Sequence, residues 1–252
     1  VATPKRKNQQ RRKLEASVAG TATHVVPTRW VKFVVGLFLL PVAWILTQTF
    51  FGIFAWITVT RDFWATAEFW FFAIGCVAWG VVYVFCPRPM LIYVFGHELT
   101  HAIWVWIMGG RVSQFRVSRQ GGHILADKVN TWIALAPYFF PIYSLLLIAG
   151  YVVAAQFTDM TPYQNWLFAG LGFTWAFHFT FTCLMIPKGQ PDLEYGGQFF
   201  SLVVIYIANL LVLSLMLVFG ADDVTWRGFG EELVNNAADF AHLVLQLAQT
   251  QF

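Results

Sequence analysis

Long uncharged apolar tracts alternate with short polar segments along this chain, at residues 33–60, 69–87, 89–110, 129–158, 160–187 and 195–221. The third is broken only by one compact group of ionisable residues. Each tract supplies the roughly 20 residues that a helix needs to cross the hydrocarbon core of a bilayer. The pattern predicts an all-α polytopic membrane protein with about six transmembrane helices. Residues 111–126 read differently: β-branched, aromatic and charged side chains surround Gly121-Gly122 at the centre, which predicts a short β-hairpin turning at the two glycines. Beyond residue 221, apolar positions recur at Leu233, Val234, Ala237, Phe240, Ala241, Val244 and Leu247. That spacing predicts an amphipathic helix lying on the bilayer or against the bundle. The chain thus divides into a tail at 1–29, a six-helix membrane domain at 30–220 and an amphipathic helix within 221–252.

Composition excludes a soluble domain of any size: 58% of the residues are hydrophobic and 12% charged, with a mean hydropathy of +0.60. The bilayer is the first partner that this implies. The net charge of +3 arises in the tail, where Lys5, Arg6, Lys7, Arg11, Arg12, Lys13 and Arg29 face one acid, Glu15. Such a segment cannot bury a core, and the positive-inside rule assigns it, and so the N-terminus, to the cytoplasm. A localised basic tail is not a nucleic-acid surface, so no nucleic-acid partner is expected. Cys76, Cys86 and Cys183 all sit in apolar tracts without a C-x-x-C pair, which points to packing rather than to disulfides or a cysteine metal site.

Pro87-Arg88-Pro89 breaks the chain before the third tract and Gly109-Gly110 ends it. Inside the fourth tract, Pro137 and Pro141 should disturb the helix and leave carbonyls open. At membrane depth, open carbonyls are tolerated only against protein or a watered cavity. This break is the expected entry for water.

The chemistry of the third tract is His97-Glu98-Leu99-Thr100-His101, an H-E-x-x-H pentapeptide. On a helix the two histidines lie one turn apart on a single face and reach one metal ion, with Glu98 beside them as general base. Ionisable side chains inside a membrane are costly and mark function. A catalytic zinc (Zn2+) site needs a third protein ligand and one position left for water. Asp192, in the first turn after Pro191, is one source; Glu194 and His178 are the others. His178 also suits a role behind the ligands, hydrogen bonding to one of them. His123 and His242 read as solvated residues.

The stretch Gly96-His-Glu-Leu-Thr-His-Ala102 on an apolar helix is followed by a Gly-Gly and β-like segment and a proline-containing helix. An aspartate near two glycines comes almost a hundred residues later. Together these resemble the site-2 protease family of intramembrane zinc metalloproteases, over about residues 90–215. The resemblance implies zinc held by His97, His101 and Asp192, with Glu98 as general base. One departure is visible: the family places glycine directly after the aspartate, whereas Leu193-Glu194-Tyr195 intervene here before Gly196-Gly197. The expected activity is cleavage of a membrane-protein substrate within or near its transmembrane segment. The alternative is a protein that keeps the fold as a non-catalytic assembly subunit of a membrane protein complex, whose signature would be a lost ligand.

Overall fold

A computed structural model describes the chain from residue 29 to residue 250; the basic tail before Arg29 lies outside the described residues. The described chain is mostly helical: α1 Arg29–Thr60, α2 Ala67–Phe85, α3 Met90–Ile107, α4 Thr131–Leu135, α5 Ile142–Ala154, α6 Gln164–Met185, α7 Pro191–Gly196, α8 Gln198–Gly220 and α9 Trp226–Gln249. Five helices are long and apolar enough to cross a membrane. A sixth span is available if α4 and α5 are counted together, for they are bent by 80° at the two prolines. The fourth tract is therefore two arms rather than one helix. The cost of that break is offset from outside: the Tyr138 carbonyl accepts from Asn209 Nδ2 of α8 at 2.8 Å.

The hairpin is present as β1 Val112–Ser118 and β2 Gly121–Ala126, antiparallel, with Ser118 opposite Gly121. Its turn is Arg119-Gln120 and not the double glycine, which instead opens β2. The glycines serve another purpose, since Gly122 packs against α3.

Helices α2 and α6 make the most extensive helix pair. They run in the same direction, Phe71 edge-on to Trp166 near one end and Trp79 against Phe177 further along. Their backbones nearly touch at Gly75 and Gly172: a methyl group on Gly75 would run into the Ala169 carbonyl, and one on Gly172 into that of Phe72. Small residues at a membrane helix interface allow this approach, and dispersion between the facing backbones is the gain. Trp79 closes the same seam, almost wholly buried, with its Nε1 donating to Thr180 Oγ1 at 2.9 Å.

Helix α8 runs parallel to α1. Phe199 meets Phe33, Tyr206 is hydrogen-bonded to Thr47 at 2.7 Å, and Leu217 packs near Ile57. After Val224 the chain turns back on itself, with Thr225 capping α9 through its side chain. Of the two placements open to the C-terminal helix, the one against the bundle is realised. Phe229 and Leu233 join the Leu46, Phe50, Ile53 and Ile57 cluster, and Asn236 Nδ2 donates to the buried Thr49 hydroxyl at 3.3 Å.

Gly75→Ala should lower the melting temperature in detergent, the overpacking cost being about 1–3 kcal/mol. Gly80→Ala, on the same helix but with open space at its Cβ, should leave it unchanged or raise it slightly.

Candidate metal centre

The His97-Glu98-x-x-His101 segment sits in the middle of α3, whose N-terminus is set by Pro89. Its C-terminus is closed by Gly109 at φ +72, a left-handed conformation that suits glycine, and by the Gly110 N–H donating to Val105 O at 2.8 Å. Both histidines lie on the face turned toward α4 and α7. His101 Nε2 and His97 Nε2 are 3.2 Å apart. Asp192 Oδ2 lies 3.3 Å from His97 Nε2 and 3.5 Å from His101 Nε2. The third vertex of this triangle is thus Asp192, brought from 91 residues after His101 by α7.

His178 and Glu194 do not join it. His178 Nε2 is buried without a hydrogen-bond partner among the described residues. It lines, with His97, Thr100 and Pro137, a cavity of about 20 Å³. That is room for about one water molecule. Glu194 is exposed on the far side of α7. His123 is exposed on β2 and His242 on α9.

Each vertex is held from behind. His101 Nδ1 lies 2.8 Å from the Ile133 carbonyl of α4. A carbonyl has no proton to give, so Nδ1 is the donor and the neutral ring turns its Nε2 lone pair toward Asp192. His97 Nδ1 is 3.2 Å from the Tyr93 hydroxyl. The Tyr93 ring is stacked on Phe181 at 4.5 Å, which ties this contact to the α2–α6 seam. Asp192 Oδ2 accepts from the Tyr138 hydroxyl at 3.3 Å. Tyr138, wholly buried at the proline break, sets its ring edge-on to His97. Next to Asp192, Leu193 is fully buried with Leu135, Phe139 and Val204 and anchors α7 in the core.

The Tyr138 hydroxyl, donating to Asp192 Oδ2, favours the ionised carboxylate. The aspartate is therefore an anionic donor. Two Nε2 lone pairs and a carboxylate pointed at one another repel unless a cation joins them. Metal bonds of about 2.0–2.1 Å meeting at tetrahedral angles place ligand atoms about 3.3–3.4 Å apart. The observed 3.2, 3.3 and 3.5 Å edges match one face of that tetrahedron. These three residues fit a metal ion, and no fourth His, Cys, Asp or Glu among the described residues joins them.

Glu98 is buried beside this face. A Cβ on Gly122 of β2 would lie 2.6 Å from Glu98 Cγ and 2.9 Å from its Oε1. The hairpin thus lies directly on the glutamate, and only glycine at 122 admits the approach. Sequence reasoning missed this role and those of Tyr93, Tyr138 and Ile133. The pairing of Gly-Gly with a nearby hairpin was the only local signal available for the first.

No family model matches the chain, no curated protein matches it in sequence, and no solved structure matches it in fold.

Asp192→Ala should reduce bound metal in the purified protein to the level of His101→Ala, whereas Glu194→Ala should retain the wild-type content. Elemental analysis of the three variants checks this; equal metal in wild type and Asp192→Ala would remove Asp192 from the site.

Proposed function

We propose that this protein is an intramembrane zinc metallopeptidase of the site-2 protease type, cutting a membrane-anchored protein within or near its transmembrane segment. The observation that carries the reading is the convergence of His97, His101 and Asp192 beside a buried Glu98. The assembly-subunit reading predicts a lost ligand, and the completeness of this triangle favours the catalytic one.

His97 and His101 would hold the metal through Nε2 and Asp192 through Oδ2. When bound, a zinc ion lowers the pKa of a coordinated water to about 7 and polarises the carbonyl under attack. Glu98 takes the proton of the attacking water and returns it to the leaving amine. Its burial under β2 keeps it beside the ligands and away from bulk solvent. Water reaches the site through the break between α4 and α5, where the small cavity between His97, Thr100 and His178 is a staging position.

A helical peptide bond is protected by its own hydrogen bonds, so a transmembrane substrate must first be extended. The outer edges of β1 and β2 have no strand neighbour among the described residues. An extended segment can pair with such an edge through its backbone, which would bring it over Glu98 and Gly122. The tail of basic residues before α1 is assigned to the cytoplasmic side, next to anionic lipid headgroups.

Glu98→Gln should abolish cleavage of a membrane substrate while leaving the metal content at the wild-type value, since the side chain keeps its volume and is not a ligand. Processing at an undiminished rate in this variant would sink the protease reading. A chelator should stop cleavage by wild-type protein, and added zinc should restore it.

A further inference from the structure

Lys32 is the one lysine buried among the described residues, 6% exposed in the first turn of a mostly apolar helix. Burying an ammonium costs several kcal/mol unless hydrogen bonds and charge compensate. Its Nζ donates to the Tyr195 carbonyl at 3.0 Å and lies 4.7 Å from the centre of the Tyr195 ring, a cation–π contact. Tyr195 follows Asp192 by three residues on α7, and its carbonyl belongs to the C-terminal set that a helix leaves unbonded. Two others in that set are met locally: Leu193 O accepts from the buried Ser201 hydroxyl at 3.0 Å and Glu194 O from the Gly197 N–H at 3.1 Å. Tyr195 O is met from a distant helix, 163 residues away.

The far end of the same tyrosine reaches the other arm of the site. Its hydroxyl lies 3.5 Å from the Val129 carbonyl. Val129 stands just before Asn130, whose side chain caps α4 by accepting from the Ile133 N–H at 2.9 Å. The Ile133 carbonyl in turn orients His101. Lys32 and Tyr195 therefore join the element that carries Asp192 to the element that fixes the tautomer of His101.

We propose that Lys32 is a positioning residue for the metal centre: by closing the C-terminal end of α7 on Tyr195, it holds α7 against α4 and keeps Asp192 on the two histidines. The inference rests on the metal-site reading above. It also gives the start of α1 a function, because Lys32 stands three residues after Arg29, where the basic tail joins the helix.

The test is competition titration of cobalt(II) into the full-length protein in detergent, with the visible spectrum of the bound cobalt read alongside. Lys32→Met should weaken cobalt binding about tenfold, as removal of groups supporting ligands does, and shift the spectrum. Lys32→Arg, which retains a cationic donor able to meet both the carbonyl and the ring, should restore most of the affinity and the wild-type spectrum. Should Lys32→Met fail to fold, Lys32→Gln tests the same loss of charge with a polar side chain in place. Wild-type affinity in the charge-removing variant overturns the proposal, and so does a loss that Lys32→Arg does not repair. Absence of cobalt binding by the wild-type protein overturns the metal-site reading itself and this inference with it.

Discussion

Two imidazoles and a carboxylate brought together among apolar helices set the terms for the rest of this structure. Each ionisable group at membrane depth costs about 2.5–3.5 kcal/mol on insertion scales, and their lone pairs repel at separations of 3.2 to 3.5 Å. The cost is offset by giving each of the three side chains a polar partner: His101 has Ile133, His97 has Tyr93 and Asp192 has Tyr138. These partners in turn require α4, α5, α6 and α7 at set positions. The proline break, the aromatic seam of α2 and α6 and the short helix α7 are all parts of that support.

The break at Pro137 and Pro141 shows the same economy of means. A continuous helix through residues 131–154 could not supply the Ile133 carbonyl to His101 and also place Tyr138 between His97 and Asp192. Bending by 80° allows both. The carbonyl freed at Tyr138 is met by Asn209 of α8, so the irregular backbone stays satisfied inside protein. This is the condition under which such backbone survives in a membrane.

Glycine acts twice through size alone. At Gly75 and Gly172 it brings two helix backbones into contact, and Trp79 and Phe177 then build the wall on which Tyr93 and Phe181 stand. At Gly122 it lets the hairpin settle on Glu98. A Cβ at either place would move an element that ends at the His97, His101 and Asp192 cluster, although none of these glycines touches it.

The sequence by itself determined the apolar tracts, the interruption at the prolines, the existence of the hairpin and the placement of His97 and His101 on one face. All of these follow from composition and from spacings of a few residues, where helix and strand periodicity is decisive. It left three residues open for the remaining ligand, because Asp192, Glu194 and His178 differ little in chemistry and lie far from His101 in the chain. Only the tertiary structure shows which of them lies beside the two histidines: burial of Leu193 turns α7 so that Asp192 faces inward and Glu194 outward, while His178 lines a cavity beside His97. The role of Gly122, the bridge from Lys32 through Tyr195 to Val129, and the return of α9 along α1 were likewise decided by packing. Each depends on contacts between residues distant in the chain, for which local periodicity carries no signal.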